Sequence, residues 1–248
     1  MPKFFVPHEK ITDTQIIIDT EDVSHITRVL RLGEGDTVTV CDSKGTDYEA
    51  KITETAPKQI ICKILSKRDS VSEPNIKVTL FQGLPKASKM EYIIQKTTEL
   101  GINEIVPVKL SRCVVKIDNK KDEAKKLDRW QKISESAAKQ SGRGIVPEIK
   151  PIMTLDEVIS KSKDFDMFFV PYECEEQKTL REVLLSKKDI KTVGFVIGPE
   201  GGFDPSETEK LISSGIPTIT LGKRILRTET AGEAVLAMIM YEIGDINS

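Results

Sequence analysis

The sequence predicts an α/β chain in which a small β-barrel precedes a larger domain built on a parallel sheet, and three observations carry that prediction. Residues 1–72 hold several short strand-like runs and one helical stripe, and many short strands in so short a stretch close most readily into a small barrel. From Lys77 onward apolar strand-like runs alternate with helical periods, the pattern of a parallel sheet covered on both faces. Between the two lies Ser70-Val-Ser-Glu-Pro-Asn75, a polar, proline-containing linker. The domains expected are therefore 1–72 and 73–248, and 248 residues suffice for both.

In chain order, Phe4–Val6, Gln15–Ile18, Asp36–Cys41, Tyr48–Ile52 and Gln59–Ile64 read as strands, and Val38, Val40, Ile60, Cys62 and Ile64 alternate with polar neighbours, as one buried face requires. A helix is expected over Asp22–Leu32, because Val23, Ile26, Val29 and Leu30 share a stripe and Gly33 follows its end. Lys77–Phe81 begins the second domain as a strand. Lys89–Leu100 follows as a helix with Met90, Ile93, Ile94 and Thr97 on one face and Gly101 as its stop. Strands at Glu104–Val108, Asp166–Val170 and Thr192–Ile197 alternate with helices at Asp122–Gln140 and Lys178–Leu185. The last third repeats the alternation: helix Pro205–Ser214, strand Thr218–Leu221, helix Thr228–Ile243.

Composition excludes more than it assigns. The 37 Lys+Arg nearly balance 39 Asp+Glu, so bulk charge argues for neither nucleic-acid nor membrane binding, and any such binding needs a local patch. No run approaches the roughly 18 apolar residues of a membrane span, and the N-terminus has no apolar signal core; a soluble cytoplasmic chain is expected. The four cysteines, Cys41, Cys62, Cys113 and Cys174, lie far apart, without zinc-motif spacing or a disulfide framework, so no metal is expected. The two histidines, His8 and His25, both lie near the start, which leaves the second domain without imidazole.

Two segments stand out as chemistry. In Val193–Glu207 an apolar strand runs into Gly198-Pro-Glu-Gly-Gly-Phe203 and then a helix start, with Asp204 as cap, Pro205 at the first helical position and Glu207 three residues after the cap. Glycines there let backbone approach a ligand at the carboxyl end of a strand, where open parallel sheets place their sites; a plain tight turn uses the same glycines. The spacing is neither a phosphate loop nor a dinucleotide fingerprint. The second segment, Leu221–Glu233, places Ile225 and Leu226 between Arg224 and Arg227. Two adjacent aliphatics either line an apolar slot for a flat ligand while the arginines face an anion, or pack under the sheet edge.

Together these segments resemble the C-terminal motifs of the SPOUT class of S-adenosylmethionine-dependent RNA methyltransferases, and in detail, as GPEGGF followed by LGKRILRTETA, the RsmE family of 16S rRNA uridine-N3 methyltransferases. Phe81–Gly101, Arg129–Arg143, Phe4–Pro7 and His25–Leu32 agree in order along nearly the whole chain. The resemblance implies a PUA-like barrel, a C-terminal α/β domain threaded into a trefoil knot, pairing as a homodimer through that domain, and 16S rRNA, within an assembled small ribosomal subunit, as partner. It places S-adenosylmethionine against Ile197, Gly198, Pro199, Glu200 and Gly201, then Leu221, Gly222, Ile225, Leu226, Arg227, Thr230 and Ala231. Gly198→Val and Gly201→Val are then expected to fill space needed by the adenosine. At Lys3 the family commonly carries arginine.

For the implied reaction, a uracil N3 must lose its proton before or during attack. Arg227 is the candidate to stabilise charge on the uracil oxygens, with Glu200 or Glu229 as proton acceptor or orienting group; Glu229 also suits the dipole of the final helix. Candidate RNA contacts are Lys3, His25, Arg28, Arg31, Lys86, Arg112 and Arg143. Lys89, Lys96, Lys109 and Lys116 add to a basic stretch, although solvated helix faces carry such lysines too. Trp130 and Tyr172 are candidate stacking partners for a base. Methylation at another RNA position, and a non-enzymatic RNA-binding assembly protein, are the competing readings.

Overall fold

The computed structural model describes residues 3–19, 22–115, 117 and 119–246, so Lys116 lies outside the described residues. The chain divides into two compact units, one of residues 1–73 and 138–146, the other of 74–137 and 147–248. The first unit contains β1 (Lys3–Phe5), β2 (Gln15–Ile18), a one-turn helix α1 (Asp22–Ser24), β3 (Thr37–Cys41), β4 (Thr46–Ala56) and β5 (Gln59–Asp69). They form a five-stranded sheet in the order β1-β3-β4-β5-β2. Phe4, Ile16, Val38, Ile52 and Ile60 come from all five strands yet share one core with Ile26, so the sheet curls around its apolar face.

The helix expected over Asp22–Leu32 is shorter and wider. After α1 the chain makes a π turn over His25–Val29, in which the Leu30 N–H reaches the His25 carbonyl. The Thr27 hydroxyl donates to the Val23 carbonyl at 2.8 Å, competing for an acceptor that an α-helix would use. Arg31 then turns the chain with φ of 57°. Arg28 and Arg31 are both exposed, but they do not share a helix face, contrary to the periodicity.

The return segment 138–146 is tied to the first unit by charges that the sequence alone offers to RNA. Glu73 pairs with Arg143 at 2.6 Å and accepts from the Gly144 and Ile145 N–H groups at 2.7 and 3.1 Å. Arg143 is 4% exposed. The Lys3 ammonium pairs with Asp47 at 2.9 Å and donates to Ser70 Oγ and the Gly142 and Arg143 carbonyls. Lys3 and Arg143, both candidate RNA contacts by sequence, are thus engaged as internal ties within this unit, with side chains 12% and 5% exposed, which argues against a role on the RNA surface. The division at 72/73 assigns this returning segment to the second domain, whereas residues 138–146 group with the first unit.

The second unit contains β6 (Lys77–Gly83), α2 (Lys89–Glu99), β7 (Glu104–Lys109), α3 (Lys120–Ser141, whose last residues belong to the first unit), β8 (Glu148–Ile149), β9 (Met153–Thr154), α4 (Leu155–Lys161), β10 (Met167–Pro171), α5 (Leu180–Leu185), β11 (Thr192–Ile197), α6 (Pro205–Ser213), β12 (Thr218–Ile219) and α7 (Thr228–Glu242). The strands run in the order β12-β10-β11-β6-β7-β8, with β9 also on β7, and every pair is parallel. Val78, Leu80, Ile93, Phe195 and Leu236 belong to one core cluster and Phe81, Val106, Phe168, Val196 and Leu211 to another, because successive strand residues point to opposite faces. Trp130 is 6% exposed within the first cluster, which removes it as a stacking platform. No helix among the described residues is long and apolar enough to cross a membrane.

The sheet order positions the site. β12 pairs with β10, although β11 precedes it in sequence, and α7 then returns to pack against β6, β11, α2 and α5. The segments after β10, β11 and β12 thus converge at the carboxyl end of the sheet, where such folds bind ligands.

Candidate active site

Three loops and the start of α7 enclose a cleft of about 1080 Å³. The first wall is the glycine turn after β11. Its Pro199 carbonyl accepts from the Gly202 N–H at 2.9 Å, and α6 begins at once with the expected capping box, Asp204 accepting from Ser206 N–H and Glu207 from Asp204 N–H. Glu207 also accepts from Ser111 N–H at 2.7 Å. Arg112 donates to the Gly201 carbonyl at 2.9 Å, so this candidate RNA contact is engaged in holding the turn.

The second wall is the loop after β12. Gly222 adopts φ of 91°, a conformation that favours glycine, and its N–H is held by Thr220 Oγ1 at 3.1 Å. Ile225 lines the cleft while 85% exposed, and Leu226 beside it is half-buried. Ile225 is thus not packed under the sheet edge; an exposed aliphatic in a concave site is covered only when a ligand arrives. The third wall, from Pro171 at the end of β10 to Glu176, is not among the residues that the sequence marks for the cofactor. It brings Tyr172, Glu173 and Glu176 into the cleft, and Glu175 anchors it by accepting from Thr218 Oγ1 at 2.7 Å. That bond and the N–H groups of Gln177 and Lys178 pull the Glu175 carboxyl down to about 2. The available signal was positional: Tyr172 and Glu173 follow a strand end at the same sheet edge as the glycine turn.

Ile197, Gly198, Pro199, Glu200, Leu221, Gly222, Ile225, Leu226, Arg227 and Ala231 all line this cleft, whereas Gly201, Thr230 and Glu229 do not. Lys89, Lys223, Arg224 and Thr228 line it as well. Apolar walls, exposed backbone at two glycine turns and charged groups at the edge fit a ligand with a flat base and a charged tail, as in S-adenosylmethionine. The glycines serve this fit differently than expected. A Cβ on Gly198 would lie 3.2 Å from the Gly202 carbonyl carbon, and one on Gly201 would lie 3.1 Å from Arg112 Cβ; both crowd the protein itself. At Gly222, by contrast, a Cβ would meet open space.

Electrostatics separate the candidate catalytic groups. Lys89 lies 3.1 Å from Glu200 and 3.2 Å from Glu229, bridging them. Desolvation works against charge on Glu200, but hydrogen bonds from its own N–H, from Lys86 N–H and from Lys89 outweigh it and hold the carboxyl below its ordinary value. The same pairing, led by the bond to Glu200, raises Lys89. Both carboxylates are therefore committed to a cation, which makes Glu200 a poor proton acceptor. Lys86 contributes its backbone N–H to Glu200 and leaves its side chain exposed. Arg227 is exposed, lines the cleft, and has no side-chain hydrogen bond or ion pair among the described residues. In the first unit, His25 is exposed and meets Phe4 edge-on.

Comparison with known proteins agrees with both units. A family model described as an RNA methyltransferase domain matches residues 72–240, and one described as an RNA methyltransferase PUA domain matches residues 18–65. Ribosomal RNA small subunit methyltransferase E of Bacillus subtilis (strain 168) is 36% identical over 229 residues, covering 91% of this chain and 89% of the relative. The protein of the same name from Aquifex aeolicus (strain VF5) is 30% identical, covering 91% and 93%. Among solved structures, ribosomal RNA small subunit methyltransferase E from Neisseria gonorrhoeae bound to S-adenosyl methionine superposes with a TM-score of 0.84 at 32% identity, covering 99% of each chain. The glycine turn, the loop after β12 and the charges around them thus belong to a sequence related along almost its whole length to these enzymes, and the chain is a member of the ribosomal RNA small subunit methyltransferase E (RsmE) family.

Proposed function

We propose that this chain methylates N3 of a specific uridine in 16S rRNA, using S-adenosylmethionine held in the cleft of the second unit. The observation that carries the reading is the cleft itself, which the exposed Ile225 lines together with two glycine turns and with Arg227, whose guanidinium has no partner among the described residues. When bound, the cofactor supplies an electrophilic methyl on a sulfonium, a good leaving group that needs no metal. Ile197, Pro199, Leu221, Leu226 and Ala231 would hold its apolar portion. Arg227 would stabilise the anionic uracil oxygens as N3 loses its proton. Uracil N3–H is a far weaker acid than a carboxylic acid, so a carboxylate held below its ordinary value, as Glu200 is, is better suited to fixing the glycine turn through Lys89 than to taking that proton.

The test is methylation of small subunits from a strain lacking the enzyme, followed by mass spectrometry of the nucleosides. N3-methyluridine is expected. A ribose-methylated product would replace the position, and a chain that binds neither cofactor nor methyl acceptor would favour the assembly-protein reading. Naked 16S rRNA should be the poorer substrate.

Three further parts belong to this proposal. The path from β11 over β10 to β12 and back to α7 supports a trefoil knot. Pairing into a homodimer is supported by α7, whose Met238 and Tyr241 stay 41% and 57% exposed beside its buried Val235, Leu236 and Ile239; a monomer mass in light scattering at micromolar concentration would overturn it. The first unit would dock RNA in the cytoplasm through exposed His25, Arg28 and Arg31. Arg28→Ala with Arg31→Ala should therefore weaken RNA binding and reduce its logarithmic salt slope by about 1 for each phosphate left without its arginine, with cofactor affinity unchanged. An unaltered slope would remove these arginines from the interface.

A further inference from the structure

Gln82 is the last residue but one of β6 and lies beside Ile197 of β11 in the sheet register. It is a polar side chain with 0% exposure in an otherwise apolar strand end, a costly placement unless its hydrogen bonds do something specific. Its amide Nε2 donates to the Gly83 carbonyl at 3.0 Å and to Thr228 Oγ1 at 2.9 Å. Thr228, 6% exposed at the first position of α7, in turn donates to the Gly198 carbonyl at 2.7 Å.

The polarity of this chain of bonds is fixed by its ends. A carbonyl only accepts, so the Gly83 oxygen requires the NH2 side of the Gln82 amide to face it. The Gly198 oxygen likewise requires the single hydroxyl proton of Thr228, which leaves the Thr228 oxygen to accept from Gln82. The amide oxygen of Gln82 points elsewhere, buried and without a protein partner among the described residues. The three groups come from a strand under the site, from the glycine turn of one wall and from the start of α7 behind the other wall.

We infer that Gln82 is a positioning residue for cofactor binding, acting through the Thr228 hydroxyl to orient the Gly198 carbonyl and so couple the glycine turn to the start of α7. The inference rests on the reading of the cleft as the S-adenosylmethionine site. Without the relay the Gly198 peptide would be free to rotate, and the Pro199–Gly202 backbone would no longer present one surface to the ligand.

The polarity gives the experiment. Gln82→Glu changes one atom type and almost no volume, but an ionised Glu accepts from Thr228, takes its proton away from Gly198, and faces the Gly83 carbonyl without a donor. Once protonated it has one O–H, which can donate to Thr228 and free the Thr228 proton for Gly198, although the Gly83 carbonyl stays without its donor, and burial raises its pKa toward the working range. S-adenosylmethionine affinity, measured by calorimetry from pH 6 to pH 8.5, should therefore fall roughly tenfold or more at the alkaline end for Gln82→Glu and recover in part on acidification. Gln82→Met should show a loss independent of pH. Thr228→Val should match that loss and Thr228→Ser should bind like the parent chain. The titratable and charged groups near this end include Glu229 and Glu233 of α7, Lys89, Tyr92, Lys96 and Glu99 of α2, Glu200 of the glycine turn and Arg227 at the start of α7, and the parent chain measured over the same range controls for them. In parallel, hydrogen exchange of the cofactor-free proteins should be faster at Gly198–Gly202 in Gln82→Glu and Thr228→Val at pH 8.5. Parent-like affinity together with parent-like exchange in those two variants would overturn the relay while leaving the cofactor site standing. A parent chain that binds no S-adenosylmethionine would overturn the site, and exchange alone would then decide the relay.

Discussion

Arg227→Ala is expected to lower the single-turnover rate of methylation of assembled small subunits by roughly a hundredfold or more, the scale of losing a donor to developing negative charge. The substitution is clean for a structural reason. Arg227 caps α7 with its backbone carbonyl, which accepts from Ala231 N–H at 2.8 Å, and its guanidinium has no partner among the described residues. Truncation therefore removes a charge from the cleft without breaking a fold contact. Saturating RNA and cofactor should not rescue the rate, because the missing interaction forms only as the uracil becomes anionic. Without that cation the N3 proton is harder to remove, so the rate of the variant should keep climbing with pH where the parent enzyme has levelled. Arg227→Lys should recover part of the rate, since charge remains and the planar fork is gone. A parent-like rate in Arg227→Ala, with cofactor binding intact, would end the catalytic assignment.

The site was legible where its signal was local. Asp204, Pro205 and Glu207 mark a helix start at fixed spacing, and the capping box is present as read; Gly198 to Gly202 then had to be a turn between a strand and that helix. What escaped the sequence depends on groups brought together from afar. Lys3 and Arg143 carry the same charge as an RNA-binding residue, but Asp47 and Glu73 capture them, and nothing within a few residues of either reports it. The helix expected from Val23, Ile26, Val29 and Leu30 keeps Val23, Ile26 and Leu30 on the core but leaves Val29 exposed, and it widens after Ser24, where the Thr27 hydroxyl competes for a backbone carbonyl. Glu173 left only its position after a strand end as a trace, because its place in the cleft depends on β12 lying beside β10, which no periodicity encodes. Gln82 did leave a trace, a lone amide closing the run Val78-Thr-Leu-Phe81, and a buried polar group in such a place calls for a partner.

Gly198→Val is expected to abolish measurable S-adenosylmethionine binding, a loss of roughly a hundredfold or more, while the protein stays folded. The cause lies within the turn. A Cβ there would sit 3.2 Å from the Gly202 carbonyl carbon and 3.3 Å from its Cα, and a valine adds two methyl groups to a contact already too close, with backbone rather than a flexible side chain as the neighbour. Relief requires the Pro199–Gly202 loop to move, which opens the 2.9 Å bond from Gly202 N–H to the Pro199 carbonyl and displaces the wall of the cleft. The sheet is not strained by that movement, because the displaced residues lie beyond the end of β11, and α6 keeps its own cap at Asp204. Gly201→Ala provides the contrast. Its Cβ would press on Arg112 Cβ at 3.1 Å, and this side chain is exposed and can shift at the cost of its bond to the Gly201 carbonyl. Less than a tenfold loss of affinity is expected there, on the scale of one partly exposed hydrogen bond. Calorimetry on both variants, with circular dichroism to confirm folding, tests the ordering. Equal losses would mean that the adenosine itself occupies the space beside both glycines, and parent-like binding by Gly198→Val would remove the turn from the site.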